Sequence, residues 1–351
     1  MSLKELPKGI SEYFARYFSR SQFSGLPHMV DMPVYVFDTE TTADPHHLCE
    51  ELDLPDGSSM EEIRAAFNAL TKIQRNHLKT KLEKLQNRIG WRSNEEKRQA
   101  RRRLKSRHKV GLPFSPWTLQ APRIISCARL ILTVDTSDPH NHIIRDITCC
   151  GVETLAFDPD DESLSLREVI DETNAVQPSV VGWNSKGYDI PVVINRASIP
   201  ALNLPQPEYL SSITRTNPFG LMGRRSVDVM KDWAGGGGRF PKLDAAARAM
   251  GGAGKMGKSG SGVLEMFLDE DYEEIAAYCE CDVLNTMFVY VVHLRSCGLL
   301  YDHMVYNRFV DQQVKYFNAH AKERPHLREY LRQWRSHSGG RIKLRKPRKT
   351  K

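Results

Sequence analysis

Val34-Tyr35-Val36-Phe37-Asp38-Thr39-Glu40-Thr41 is an apolar, β-branched and aromatic run that ends on two carboxylates one residue apart. It reads as a buried strand that delivers charge to a sheet edge. Side chains on a strand alternate faces, so Asp38 and Glu40 point the same way. Two like charges held that close raise each other's pKa unless a cation lies between them, and a divalent metal on oxygen ligands is the economical reading. The alternative is a solvated strand end.

The rest of the chain narrows that choice. With 351 residues, 40% of them hydrophobic, it can bury a sizeable core in one large domain or two ordinary ones. No apolar stretch approaches the length of a membrane span, and the N-terminus, with Lys4, Glu5, Lys8 and Glu12, lacks a signal-peptide core. Seven cysteines, at 49, 127, 149, 150, 279, 281 and 297, form no CxxC pair. That argues against a disulfide framework or a zinc site and for a reducing, cytoplasmic location without membrane contact.

Charge is unevenly placed. Residues 71–110 hold fifteen Lys and Arg against three Glu, and the tail 341–351 holds seven basic residues and no acid, which leaves −12 for the remainder of a chain whose net charge is +7. An acidic core with two basic appendages suggests that the appendages bind a polyanion that the core processes. A solvated helix face or a disordered tail is the bland alternative.

Residues 1–30 read as an N-terminal arm and 44–110 as an insertion into a domain spanning 31–300. In the insertion, Ser59 and Glu62 make a capping box ahead of Phe67, Leu70, Leu78, Leu82, Leu85 and Ile89, whose spacing predicts a helix of about eight turns that ends at Gly90. Ser93 and Glu96 cap a second helix with few apolar positions, so the pair is expected to form a basic helical hairpin. Strands follow at 122–132 and 147–157, a helix near 163–174, and a short strand at 178–184. Asp189 opens a helix with Pro191 in its first turn. Another helix spans 243–250, and a long one 271–296. Strands first, then strands alternating with helices, predict an α/β domain on a mixed central sheet flanked by helices. A C-terminal helical extension is expected over 301–340.

Phe37-Asp-Thr-Glu40, Asn184-Ser-Lys-Gly-Tyr-Asp189 and Tyr278-Cys-Glu-Cys-Asp282 match in order the three exonuclease motifs of the DEDD superfamily. The third is YxxxD, so the chain resembles the tyrosine branch, DEDDy. More closely, 122–132, 177–197, 226–230 and 255–294 resemble the family of predicted 3′-5′ exonucleases related to the proofreading domain of family-B DNA polymerases. The resemblance covers about 31–43 and 112–296, and no polymerase palm signature accompanies it. It implies an RNase H-like fold and a free-standing nuclease that releases nucleoside 5′-monophosphates with two divalent ions, Mg²⁺ or Mn²⁺.

Such chemistry requires hard oxygen ligands, because two cations must activate water and stabilise charge on attacking and leaving oxygens. The resemblance implies that Asp38 bridges both ions, Glu40 and Asp282 complete one, and Asp189 holds the other. Tyr278, one helical turn from Asp282, would orient water. Thr39, Asn184, Lys255 and Lys258 are expected at the substrate, with Asn184 either near the scissile nucleotide or bracing the Asp189 turn. Gly252 to Ser259 satisfies a Walker A pattern but follows a predicted helix and not a strand, so it is read as a basic loop. Cys279 and Cys281 are read as core thiols.

A catalytically silent nucleic-acid-binding adaptor is the competing function, opposed by the intact carboxylates and tyrosine. Protein partners leave no signature. If Arg98, Arg101, Arg102, Arg103 and Lys105 touch about four phosphates of a single strand, they contribute roughly −3 to the slope of log affinity against log salt. Replacing all five by Gln is then expected to weaken and flatten binding of long strands while dinucleotide hydrolysis hardly changes. An unchanged salt slope would instead favour a solvated hairpin or one that docks a protein.

Overall fold

The computed structural model describes residues 34–42, 48–49, 52–71, 74–76, 78, 123–135, 144–157, 161–214, 226–233, 240–256 and 262–338. Five strands form one mixed sheet: β1 (Val34–Thr42), β2 (Arg123–Asp135), β3 (Asp146–Ala156), β4 (Ser179–Gly182) and β5 (Ser226–Asp228), in the order β3-β2-β1-β4-β5. β1 pairs antiparallel with β2 and parallel with β4. It is therefore the central strand, but its register with β4 covers only Val34–Val36, so Asp38 and Glu40 do lie where that side of the sheet ends. The strand itself does not stop at them. Thr41 and Thr42 are β-branched residues that suit a strand, and pairing with β2 continues to Thr42, with a register shift between Glu40 and Thr41.

Alternation along β1 sorts two cores. Val34 and Val36 pack with the long helix α8 (Tyr272–Ser296), whereas Phe37 packs on the opposite face against α2 (Ser163–Val176), α3 (Asp189–Ala197) and α4 (Glu208–Thr214). Asp38 and Glu40 share the parity of Val34 and Val36 and so face α8. This helix is long and apolar enough to cross a membrane, contrary to the expectation from sequence, yet most of it is buried inside the protein. Being apolar on nearly all sides is what a helix at the centre of a core requires.

Behind α8 lie α5 (Val229–Trp233), α6 (Leu243–Ala249), α9 (His303–His320) and α10 (Pro325–His337). Phe309, Phe317, Leu327, Tyr330 and Trp334 of the last two helices belong to the same core as α8, and the Trp334 ring meets Phe288 edge-on at 5.5 Å. Glu280 joins these layers: its carboxylate accepts from Thr154 Oγ1 of β3 at 2.7 Å, lies 2.6 Å from His326 Nε2 of α10 and pairs with Arg324.

Within the insertion, α1 (Met60–Ala69) is opened by the expected Ser59–Glu62 capping box. It ends after ten residues, far short of eight turns. Leu70 turns extended, and Thr71 and Gln74 form a second reciprocal cap, Thr71 N to Gln74 Oε1 at 2.9 Å and Gln74 N to Thr71 Oγ1 at 3.3 Å. Apolar periodicity runs through this break because both pieces bury one side, but a new N-cap restarts the helix. Ile63, Phe67 and Leu78 form a third cluster with Phe267 of α7 (Val263–Leu268), and with Ile275 and Tyr278 of α8. The second helix of the expected hairpin, the basic tail and the N-terminal arm lie outside the described residues.

On the far face, Glu162 and Arg196 form a buried ion pair, and Glu162 Oε2 also accepts from Ile124 N at 3.2 Å. It ties the start of β2 to α2 and to the end of α3. Arg196→Met strands a buried carboxylate and is expected to cost about 3–5 kcal/mol, read as a lower denaturant midpoint at unchanged slope. Adding Glu162→Gln should recover part of that loss.

Candidate active site

The site exists because β4 is short. In register with β1, it pairs Val36 with Val181 and ends at Gly182, where the chain turns away so tightly that a Cβ would collide with Ser185 and come within 3.2 Å of Phe37 O. From Asp38 onward, β1 has no strand on that side among the described residues. Asp189 takes the vacated place: its Oδ1 accepts from Thr39 N at 3.1 Å and Thr39 Oγ1 at 2.8 Å. It does so from the first turn of α3, where the helix dipole favours a carboxylate. The intervening turn is held by Asn184, whose N–H donates to Asp228 Oδ1 at 3.0 Å at the end of β5, and whose carbonyl accepts from Gly187 N and Tyr188 N at 2.8 and 3.0 Å. Asn184 takes a left-handed φ of 63°.

From the other side, α8 presents Tyr278 and Asp282 one turn apart on one face. Lys255, in the segment between α6 and α7, closes the group. Its Nζ donates to Asp282 Oδ2 at 2.8 Å and to the Tyr278 hydroxyl, and lies 4.6 Å from the centre of the Tyr278 ring. Glu40, Asp189 and Asp282 are 8%, 3% and 7% exposed, and Asp38 is half-buried.

Electrostatics in this pocket are severe. Burial, then Asp189, Glu40 and Asp282, push the Asp38 carboxyl well above the ordinary range; burial and Asp282 do the same to Glu40. Burial raises Asp189 to about 6, although the Thr39 hydrogen bonds oppose it. Burial likewise raises Asp282, against the pull of Lys255. For Lys255 itself burial acts downward, but the charge and hydrogen bond of Asp282, then Glu40 and Asp38, prevail and hold the ammonium above its usual value. Burial and the surrounding carboxylates keep the Tyr278 phenol protonated.

One lysine does not balance four carboxylates. Asp282 Oδ1 is buried with no hydrogen-bond partner among the described residues. Ligand atoms of Asp38, Glu40 and Cys279 lie within 4.8 Å of one another. Crowded hard oxygens with an orphaned lone pair fit a divalent cation. Cys279 is a core thiol as expected, fully buried, but its Sγ also sits 3.6 Å from Asp38 O and 3.9 Å from Asp38 Oδ2.

Of the residues singled out from sequence, Asp38, Thr39, Glu40, Asp189, Lys255, Tyr278 and Asp282 converge here, and Asn184 holds the adjoining turn. Lys258, Arg98, Arg101, Arg102, Arg103 and Lys105 lie outside the described residues. Gly252–Met256 follows a helix and not a strand, as the reading of a basic loop requires. Three further residues shape the site although the sequence reading gave them no role: Asp228 ends β5, Asn285 lies three residues past Asp282 on the face of α8 expected to carry both, and Tyr188, inside the second motif, has its hydroxyl 2.5 Å from Thr41 Oγ1. Their partners are remote in sequence, so periodicity and spacing did not assign them.

Comparison with known proteins adds one finding. The family described as predicted 3′-5′ exonucleases related to the exonuclease domain of PolB matches residues 117–334. That span runs past the resembling stretches to take in α9 and most of α10, and it leaves out β1 with Asp38 and Glu40. Searches of curated proteins and of solved structures return no match. Matched over more than half its length, with β2 to β5, Asp189, Tyr278 and Asp282 inside the span, the chain belongs to this family of predicted PolB-related 3′-5′ exonucleases.

Proposed function

We propose that the protein is a metal-dependent 3′-5′ exonuclease of the DEDDy type, on an RNase H-like fold, that hydrolyses nucleic-acid strands from the 3′ end to nucleoside 5′-monophosphates. The observation that carries this reading is the convergence of four carboxylates from β1, α3 and α8, with Asp282 Oδ1 left unpartnered among the described residues. Family membership supports it, and the strand order β3-β2-β1-β4-β5 supports the fold. Asp38, Glu40 and Asp282 would hold one Mg²⁺ or Mn²⁺, and Asp38 with Asp189 a second. Bound there, the ions supply Lewis-acid activation of water and charge stabilisation at both oxygens of an in-line displacement.

The chain's own residues have separable tasks. Thr39 fixes the Asp189 carboxylate through two hydrogen bonds to a single oxygen, which leaves its second oxygen to act as ligand. Tyr278 keeps its proton, so its hydroxyl acts as a hydrogen-bonding group that orients the attacking water and not as a base. Lys255 sets a cation beside Asp282, within reach of a phosphate oxygen drawn to this pocket. Asn184 braces the turn that carries Asp189. Cys49, Cys279, Cys281 and Cys297 are free thiols, in keeping with a reducing, cytoplasmic setting. Incubating purified protein and Mg²⁺ or Mn²⁺ with 5′-labelled DNA and RNA oligonucleotides, with Asp38→Ala as control, tests the reading. It requires a ladder of strands shortened from the 3′ end.

Chelation is expected to abolish activity, and Mg²⁺ or Mn²⁺ to raise the melting temperature by mass action. The sign with pH follows from carboxyls whose folded pKa is raised. Without metal they contribute stability below their unfolded pKa and lose it as pH climbs through the folded values, which for Asp189 is about 6. The metal-induced thermal shift should therefore be largest at neutral pH and fade in acid. No shift, together with activity that survives chelator, would sink the metal reading.

Tyr278→Phe keeps the ring that packs against Ile275 and Phe267 but removes the hydroxyl. It is expected to slow turnover by about 10² to 10⁴ with strand binding nearly unchanged, and Asp38→Ala to slow it by more. Single-turnover rates and binding isotherms measured side by side check this.

A further inference from the structure

Lys255 reaches the carboxylates from a segment with no regular structure, so something must fix where its backbone lies. The clasp is a single amide. Asn285, fully buried and one turn beyond Asp282 on α8, accepts from Gly254 N with its Oδ1 at 3.1 Å and donates from Nδ2 to Gly254 O at 3.0 Å. Both backbone groups of one residue are thus paired by one side chain, much as a neighbouring strand would pair them. Gly254 has a φ of 74°, and a Cβ there would lie 2.6 Å from both Arg248 Nε and Asp244 Oδ1. Only glycine suits that conformation and approach. Asp244 Oδ1 then takes the Lys255 N–H at 2.6 Å, and Arg248 Nη2 donates to Lys255 O at 3.2 Å.

The amide would serve poorly if it could flip, because each end would then oppose the Gly254 group it now pairs. The Gly254 N–H, which only donates, and the Gly254 carbonyl, which only accepts, fix the orientation of the amide. Tyr330 anchors it in that orientation: from α10, buried in the core, its hydroxyl donates to Asn285 Oδ1 at 3.1 Å. A second contact from the same helix, His337 Nδ1 to Ala253 O at 3.1 Å, holds the preceding residue of the segment.

We infer that Asn285 and Tyr330 are positioning residues for Lys255. The last helix, through the Tyr330–Asn285–Gly254 chain of hydrogen bonds, sets where the Lys255 ammonium meets Asp282 and Tyr278. None of the three contacts the reacting atoms. The functional part of this inference rests on the exonuclease reading; the mechanical part, that Tyr330 immobilises the Gly254 backbone, does not.

Tyr330→Phe removes one hydroxyl while keeping the ring packed against Phe317. Hydrogen–deuterium exchange of the intact protein is expected to quicken at the amides of 251–256, and turnover on a labelled strand to fall about tenfold with KM unchanged, the scale of one lost buried hydrogen bond. In a Lys255→Met background the same substitution should cause no further loss of turnover, because the group it positions is gone. A merely structural tyrosine would lower the melting temperature equally in both backgrounds and multiply the two losses. Should Tyr330→Phe prove too unstable, His337→Ala, at the exposed end of α10, is expected to show the same pattern at smaller amplitude. Unchanged exchange at 251–256, or multiplicative losses, overturns the inference. Wild-type protein inactive on both DNA and RNA would refute the exonuclease reading instead, and the exchange measurement would still decide whether Tyr330 holds this segment.

Discussion

Asp38, Glu40, Asp189 and Asp282 act electrostatically on one another, and the repulsion among their carboxylates is the constraint on which the surrounding structure depends. Charges within a few ångströms of one another, partly withdrawn from water, interact far more strongly than at a surface. Left to relax, such a group would spread apart or take up protons. It stays together because each carboxylate hangs from an element that cannot move without unpacking a core. Asp38 and Glu40 belong to the central strand, Asp282 to the helix that crosses beneath it, and Asp189 to a helix start bolted to β1 by Thr39.

The two faces of the sheet divide the work. The α2–α3–α4 face sets the position of Asp189 and is stiffened by the Glu162–Arg196 pair. The α8 face supplies Asp282, Tyr278 and, through the segment after α6, Lys255. At the rim, the third cluster places Tyr278 against Phe267 and the first helix of the insertion. The insertion is thus not a free appendage at its root: Ile63, Phe67 and Leu78 are part of the wall behind the catalytic tyrosine proposed here.

Much of this is legible in the sequence. The stretches 122–132, 177–197, 226–230 and 255–294, read together with three short motifs, were enough to identify the family: each motif alone is an ordinary strand end or helix face, and it is their order along the chain that is distinctive. Strands and helices from 123 onward also lie close to where periodicity put them. What escaped was whatever depends on partners remote in sequence. That β1 is central and continues to Thr42 follows from β2 and β4 flanking it, which the pattern of one strand does not reveal. The break at Leu70 hides because a threonine–glutamine cap inside an amphipathic run looks like two more polar positions. Asn285 and Asp228 look like ordinary polar residues until the backbone groups they hold, Gly254 and Asn184, come into view.

The topology has a consequence for how the protein comes into being. β1, the first described element, stays without its parallel neighbour until β4 has been made, and contacts that span so much chain form slowly. Asp282 comes later still, and the Tyr330 hydroxyl after it. During synthesis a growing chain that has not reached α8 carries at most three of the four carboxylates, with no helix to close the pocket over them. The four-carboxylate site, assembled from β1, α3 and α8, is therefore absent from every shorter nascent chain and comes into existence only once α8 has been made.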